Sequence, residues 1–292
     1  MSPPAMANDE FQKGVKHLFE NGVSKLPNKY ILPVSDRPNV QKEQPSVAKS
    51  NLRLPVIDFA ELHGPNRSLV LDSLSSACEE YGFFQVVNHG IPVEAIRRMI
   101  DVSSRFFGLP YQERAKYMSS DMTSPVRYGT SLNQTKDSVF CWRDFLKLVC
   151  NPLSDVLPRW PSSPMDFREV GASYAKETKW LFLRITEAIL ESLGLWGSTA
   201  PEDDEMLKQF HEGSQLMVIF SNGRYKSVLH RVLVNPTKPR LSVASLHSLP
   251  FNCMVGPSPK LIDEENPRRY KETDFATFLE YISSCEPKKK NS

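Results

Sequence analysis

The sequence predicts an α+β protein in which a helix-rich N-terminal half precedes a β-rich C-terminal half. Before residue 200, apolar side chains recur mainly at helical spacing, most clearly along 166–193. After residue 214 they gather instead in short runs of Val, Ile and Leu, which are typical of buried strands. No internal repeat interrupts this order.

In the N-terminal half, apolar periodicity and Gly or Pro boundaries define the predicted elements. Asn21-Gly22 closes the first helix, Gly82 separates a helix from a strand, and Pro92 suits a helix start because its missing N–H costs nothing there. The predicted helices are 9–23, 66–81, 92–107, 113–117 and 166–193, and the predicted strands are 54–59 and 83–87. Residues 25–51 and 124–165 are Pro-containing and predicted to be irregular.

In the C-terminal half, four apolar runs predict strands. They cover residues 216–220, 228–234, 241–246 and 253–255. A closing helix is predicted at 274–282, and the basic run 288–290 is predicted to be solvated.

Bulk composition favours a soluble globular protein without nucleic-acid or membrane partners. The chain has 292 residues, a net charge of +2 and 40% hydrophobic residues, and no apolar run reaches the roughly 18–20 residues of a membrane span. Five scattered cysteines without a C-x-x-C motif predict free thiols in a reducing compartment. We therefore expect a cytoplasmic monomer without a zinc site.

Several segments together resemble the plant 2-oxoglutarate/Fe(II)-dependent dioxygenases, also called iron/ascorbate-dependent oxidoreductases. The segments are LPVIDF (54–59), ACEEYGFFQVVNHGIP (77–92), FFGLPYQERAKY (106–117), SNGRYKSVLHRV (221–232) and RLSVA (240–244). They extend over nearly the whole chain. The extended N-terminal leader resembles the branch that contains salicylate and flavonoid hydroxylases.

The resemblance implies a jelly-roll (double-stranded β-helix) core with helices packed outside it. It implies Fe(II), 2-oxoglutarate as cosubstrate and ascorbate, in an oxidoreductase that hydroxylates a small plant metabolite or hormone-like aromatic. It also suggests divisions into a leader (1–53), a dioxygenase N-terminal region (54–165), a long helix (166–200), a partial jelly roll (214–260) and a C-terminal helix with its tail (261–292).

The resemblance assigns three site residues and none with a catalytic role. His230 matches the distal iron ligand, and a position on a strand would aim its imidazole inward. Arg240 matches the residue that binds the far carboxylate of 2-oxoglutarate, which a planar guanidinium can hold through two hydrogen bonds. Ser242 shares a strand face with Arg240 and can add a hydroxyl donor.

The other two iron ligands of the family come from a His-x-Asp pair, and none of the six histidines of this chain is followed at that spacing by Asp or Glu. In relatives a Pro-rich turn, the His-x-Asp strand and further strands follow the run that corresponds to 216–219. Here Ile219 is joined directly to Phe220. The sequence therefore predicts a truncated, catalytically impaired chain with an incomplete jelly roll and weak stability or aggregation.

Other residues offer little compensation for the lost ligands. His211 and Glu212 are adjacent, so on a strand their side chains point to opposite faces. His89 is expected to have a structural role in a turn, and His247 is expected either near the site or as a satisfied core imidazole, with more weight on the second. A non-enzymatic interaction isoform and a sequence artefact stay open as alternatives.

Overall fold

The computed structural model describes residues 13–37, 53–131, 137–196, 216–228, 230, 232–235 and 237–284. These residues form short strands and longer helices. In chain order the helices and strands are α1 Val15–Glu20, β1 Val56–Asp58, α2 Arg67–Glu80, β2 Gln85–Val87, α3 Val93–Gly108, α4 Tyr111–Ala115, β3 Val126–Thr130, β4 Asp144–Leu148, α5 Leu153–Val156, α6 Phe167–Ser192, α7 Met217–Phe220, β5 Met254–Val255, β6 Thr273–Asp274 and α8 Phe275–Ser284. Within the described part, no helix is long and apolar enough to cross a membrane.

The chain divides into two compact units, each assembled from separate stretches of sequence. The first unit comprises Met1–Gln44, Val93–Ala175 and Leu233–Val243. The second comprises Pro45–Pro92, Lys176–Val232 and Ala244–Ser292. The long helix α6 contributes its first turns to one unit and the remainder to the other.

The first unit is organised around an antiparallel hairpin of β3 and β4, in which Tyr128 faces Leu146. Phe106 of α3 lies at the centre of its core, with ring centroids 6.1 Å from Tyr128 and 5.7 Å from Phe167. The buried Trp160 satisfies its indole N–H by donating to the backbone oxygen of Val149 at 3.0 Å. The prediction that residues 124–165 are irregular was wrong because it overlooked the strand-forming residues of this hairpin.

Helix α1 is held against the hairpin at both of its ends. The Asp144 carboxylate accepts the N–H groups of Val15 at 2.7 Å and Lys16 at 2.9 Å, which are orphan donors of the first helical turn. At the other end, the fully buried Arg114 donates to Glu20 at 3.0 Å. Arg114 also donates to the Tyr128 hydroxyl at 2.6 Å, so α1 is tied to the sheet through a buried polar network.

The second unit has the parallel pair β1–β2, the antiparallel pair β5–β6 and the helices α2, α7 and α8. Leu74 and Cys78 of α2 pack in one core with Leu190 near the end of α6. Leu216 and Phe220, at the two ends of α7, are buried in the same core.

The C-terminal half departs from the predicted strand pattern in three places. The run 216–220 contains helix α7 instead of a strand, and the described residues of 228–234 and 241–246 belong to no strand. Apolar composition favours burial in either conformation, so a short run does not distinguish helix from strand. Each sheet in the described residues has only two strands, and none of these segments pairs with one.

The other predicted elements are confirmed with shifted ends. Helices α2, α3, α4, α6 and α8 and strands β1, β2 and β5 lie where periodicity placed them. The predicted helix 9–23 is described from residue 13, and its helical part is α1. The predicted break around 201–205 and the His211-Glu212 pair lie outside the described residues.

Candidate functional site

His230, the expected iron ligand, is exposed and belongs to no strand. Its Nδ1 lies 3.2 Å from the backbone oxygen of Val228, two residues earlier. The prediction that a strand aims this imidazole inward was therefore wrong, because no strand among the described residues pairs with this segment and fixes the direction of the side chain. Its assignment as a metal ligand stays a prediction.

Arg240 and Ser242, the expected 2-oxoglutarate ligands, lie in a stretch without regular secondary structure. Both residues are exposed, and no ion pair or hydrogen bond to either is recorded among the described residues. An exposed guanidinium can attract a carboxylate, but water competes for it and salt screens it. Their role in binding 2-oxoglutarate likewise stays a prediction.

The described residues do not fit an iron site of this family. Among them, no group of three His, Cys, Asp or Glu side chains lies close enough together to hold a metal ion. A facial triad needs two imidazoles and a carboxylate on one face of the metal. His230 is the one residue that sequence comparison offers, so the donor set is incomplete.

The other described histidines have local contacts that account for them. His89 accepts the N–H of Ile91 at 3.1 Å, as expected for a structural turn residue. His63 lies 2.7 Å from a guanidinium nitrogen of Arg184, and His17 lies beside Tyr111 with ring centroids 4.6 Å apart.

His247 stacks on Phe182 with ring centroids 4.1 Å apart, and its Nε2 lies 3.2 Å from the Ser245 hydroxyl. Burial, with a smaller contribution from Lys179, holds the pKa of His247 below its ordinary value. This imidazole is partly buried and its neutral form is favoured, so its stacking and hydrogen bond satisfy it locally, although it does not lie in the buried core as expected.

The turn before His230 is the best-organised part of the matched motif among the described residues. Asn222 and Gly223 both have positive φ, 52° and 82°, and a Cβ on Gly223 would lie 3.2 Å from the Tyr270 ring. The buried Asn222 side chain accepts the N–H of Arg269 at 2.8 Å and donates to the oxygen of Pro267 at 3.2 Å. The Asn-Gly dipeptide was the available sequence signal for this turn, because both residue types tolerate the left-handed region.

Tyr225 and its neighbours attach the same turn to two helices. The Tyr225 hydroxyl lies 3.1 Å from the Ser75 hydroxyl on α2 and 2.7 Å from the Ser192 hydroxyl at the end of α6. The N–H of Lys226 donates to the backbone oxygen of Cys78 at 2.9 Å. We name residues 221–226 the SNGRYK anchor. Sequence comparison identified these residues as part of a site motif, and the structure gives them a packing role.

A groove of about 620 Å³ opens beside the point where Ile219 meets Phe220. The lining residues that the structure describes are all apolar or hydroxyl-bearing: Leu216, Val218, Ile219, Ser227, Tyr270, Thr273, Thr277, Phe278 and Tyr281. A dicarboxylate such as 2-oxoglutarate would find no cationic partner there.

Two family models match most of the chain. Residues 54–165 match the non-haem dioxygenase in morphine synthesis N-terminal model, and residues 169–248 match the 2OG-Fe(II) oxygenase superfamily model. Protein DMR6-LIKE OXYGENASE 1 of Arabidopsis thaliana is 34% identical, and the match covers 89% of this chain and 90% of that protein. The chain belongs to the plant 2-oxoglutarate/Fe(II)-dependent dioxygenases. Members of this family use Fe(II) and 2-oxoglutarate and act on small-molecule substrates.

Further relatives agree with this membership. Flavanone 3-dioxygenase 2 of Oryza sativa subsp. japonica is 34% identical, with coverage of 86% of this chain and 88% of that one. The crystal structure of JOX2 in complex with 2OG, Fe and JA superposes with a TM-score of 0.72 at 24% identity, covering 94% of each chain. The α+β oxygenase fold class is thereby confirmed, and the described residues contain no closed barrel.

Each of these alignments spans more positions than the number of residues of this chain that it includes. The match to DMR6-LIKE OXYGENASE 1 runs over 321 positions, whereas 89% of the 292 residues is about 260 residues. About 60 aligned positions of the relative therefore have no counterpart here. The match to flavanone 3-dioxygenase 2, with 308 positions over 86% of the chain, leaves a similar number.

Proposed function

We propose that this chain is a plant 2-oxoglutarate/Fe(II) dioxygenase without the block that carries the His-x-Asp ligands, and that it has no hydroxylase activity. The observation that carries the proposal is the incomplete donor set. The sequence has no His-x-Asp or His-x-Glu, and no cluster of three candidate ligands occurs in the described residues. The roughly 60 unmatched alignment positions are consistent with one missing block.

The direct joint of Ile219 to Phe220 is the proposed position of the loss. Here the chain forms helix α7 and enters the SNGRYK anchor, with Phe220 fully buried. His230, Arg240 and Ser242 are then the retained half of the ancestral site. They are exposed because the strands that would pair with their segments are absent.

The ancestral reaction that we propose for this lineage is hydroxylation of a small aromatic plant metabolite. The support is the similarity to flavanone 3-dioxygenase 2 and to other oxygenases of the same family. Among the residues that the structure describes, the lining of the groove has neither the cation nor the metal ligands that this chemistry needs.

Restoring the block tests the proposal. The segment of DMR6-LIKE OXYGENASE 1 that aligns between Ile219 and Phe220 is inserted at that joint, and 2-oxoglutarate-dependent succinate formation is measured with Fe(II) and ascorbate. The unaltered chain is expected to show no turnover above the protein-free background. The chimaera is expected to consume 2-oxoglutarate, and His230→Ala in the chimaera is expected to remove that activity. Turnover by the unaltered chain would overturn the proposal.

A further inference from the structure

The N-terminal segment of the first unit is joined to the rest of that unit mainly through side chains. We name residues 13–37 the N-terminal strap. Among the described residues, the one backbone-to-backbone hydrogen bond recorded between the strap and the rest of the unit runs from the N–H of Phe140 to the oxygen of Lys29, at 2.8 Å. Other backbone bonds of the strap are internal, such as the one from Leu18 to Gly14 at 3.1 Å. Within the described part of the chain, the strap therefore adds no strand to the β3–β4 hairpin.

The apolar contacts of the strap form a small cluster of their own. Leu18 and Tyr30 are buried together with Phe140. The Tyr30 ring lies 5.9 Å from the ring of Phe140 and 4.9 Å from that of Trp142, between centroids. The core around Phe106 is a separate and larger cluster. Proteins open locally in contiguous cooperative units, so the smaller cluster can lose its packing while the larger one keeps it.

Charged side chains hold the strap at both ends of α1. At the start of the helix, Asp144 accepts the N–H groups of Val15 at 2.7 Å and Lys16 at 2.9 Å. At its end, the fully buried Arg114 donates to Glu20 at 3.0 Å. Helix α1 has six residues and is too short to be stable in isolation. Loss of these contacts is therefore coupled to melting of the helix, which favours opening of the strap in one step.

We propose that the N-terminal strap opens from the hairpin as one cooperative unit while the core around Phe106 stays folded. Opening breaks the contacts of Asp144 and Arg114 with α1, and it uncovers the aromatic surface of Phe140 and Trp142. The strap is thus a conformational device that controls access to this surface. The proposal does not depend on loss of the iron site, because the retained site residues take no part in these contacts.

Native-state hydrogen exchange of the full chain, followed by mass spectrometry, tests the proposal. The hydrogen-bonded amides of the strap and the amide of Phe140 are expected to share one opening equilibrium. They should exchange at least about tenfold faster than the amides in the middle of α3. Low urea concentrations are expected to accelerate exchange less in the strap than in α3, because strap opening exposes less surface than unfolding of the core.

A core substitution shows whether the strap opens by itself. Val102 of α3 is fully buried in the core around Phe106. Val102→Ala is expected to accelerate exchange in α3 about tenfold or more. It is expected to leave strap exchange unchanged, because the core is intact in both the closed and the open state of the strap.

Substitutions of the strap contacts test cooperativity and the role of the ion pair. Leu18→Ala is expected to accelerate exchange about tenfold or more, by one common factor around α1, around Tyr30 and at Phe140. Glu20→Ala is expected to accelerate the same amides about tenfold, because it leaves the Arg114 guanidinium without its carboxylate. Glu113→Ala, which removes an exposed ion pair on α4, is the matched control and should change strap exchange by about twofold or less.

Three results would overturn the proposal. If Val102→Ala accelerated the strap by the same factor as α3, the strap would open only when the whole unit unfolds. If Leu18→Ala accelerated only the amides of α1, the helix would fray locally and no cooperative strap would exist. Equal effects of Glu20→Ala and Glu113→Ala would exclude the contact with Arg114 as a determinant of opening.

Discussion

The amide oxygen of Asn222 accepts the backbone N–H of Arg269 at 2.8 Å and so joins the turn before His230 to the loop that leads into β6. Both residues belong to the second unit, and Asn222 is buried with φ at 52°. This part of the matched motif is therefore held by its packing contacts.

Replacing Asn222 by Ala should destabilise the second unit. The substitution removes the acceptor for Arg269 and the donor to Pro267, and it replaces Asn, which tolerates the left-handed region, with Ala, which tolerates it less well. We expect a loss of about 1–3 kcal/mol in the free energy of unfolding, measured by urea denaturation. Asn235→Ala, at an exposed asparagine with only local contacts, is the matched control. Equal effects in the two variants would contradict the anchoring role.

Helix α7 should be essential to the core of the second unit. Phe220 is fully buried beside Leu216 in the same cluster. Phe220→Ala should cost about 3–5 kcal/mol through lost burial and the cavity left behind. Val218→Ala, at a half-buried residue on the same helix, should cost clearly less. A small effect at Phe220 in thermal or urea unfolding would show that this joint is not packed as described.

Asp144 should make the stability of the first unit depend on pH. Burial raises the pKa of its carboxyl above the ordinary value, although the N–H groups of Lys16 and Val15 oppose this. The neutral form is therefore favoured in the folded state. The stabilisation that the neutral Asp144 carboxyl provides is fully present at pH values below the pKa of this group in the unfolded chain. It is lost as the pH rises through the pKa of the group in the folded chain. Asp144→Asn cannot ionise, so its urea midpoint should vary less than that of the wild type over this acidic range. An unchanged pH dependence would contradict this assignment.

Cys78 should be protected from thiol reagents in the native chain. Burial, with a smaller effect of Glu79, raises the pKa of its thiol to about 12. Iodoacetamide at about pH 8 should modify the exposed Cys141 and leave Cys78 unmodified until denaturant is added. Mass spectrometry of the peptides measures the extent of modification of Cys78 and Cys141 in one sample. Equal labelling of the two cysteines under native conditions would show that the core around α2 is open.

The raised pKa of the Cys78 thiol also predicts how stability changes with pH. The neutral thiol is favoured in the folded state, so the contribution of Cys78 is present below the unfolded pKa and is lost as pH rises towards about 12. Cys78→Ala should reduce that alkaline loss, as measured by thermal unfolding in alkaline buffers. An identical alkaline profile would argue against the thiol as its source.

The longer helices α2, α3, α6 and α8 could be predicted from sequence because each has an apolar stripe with a defined end. Helix α6 is the clearest example, since its 26 residues carry the pattern through seven turns. The strands could be predicted only where a partner exists. Ile57 pairs with Val86 in a strand. Val232 and Leu246 occur in runs of similar apolar composition, but both are exposed and neither belongs to a strand. Strand formation depends on a neighbouring strand, which a local pattern does not report.

The arrangement of the candidate site residues likewise depends on neighbouring strands. Sequence comparison identified His230, Arg240 and Ser242 by residue type and spacing, but their orientation would come from strands that the described residues do not form. The anchoring roles of Asn222 and Tyr225 depend on contacts with Arg269, Ser75 and Ser192, which are distant in sequence. Such contacts are fixed by tertiary packing.

The most direct measurement is an anaerobic titration of the unaltered chain with Fe(II) and 2-oxoglutarate. The observable is the visible charge-transfer absorption of a protein-bound iron–2-oxoglutarate complex, which requires no knowledge of the substrate. We expect no such band from a folded sample, because one imidazole and one exposed guanidinium do not form a facial triad. A band that is lost in His230→Ala and Arg240→Ala would contradict the proposed loss of the iron site, because the chain would then hold iron with ligands that complete the site.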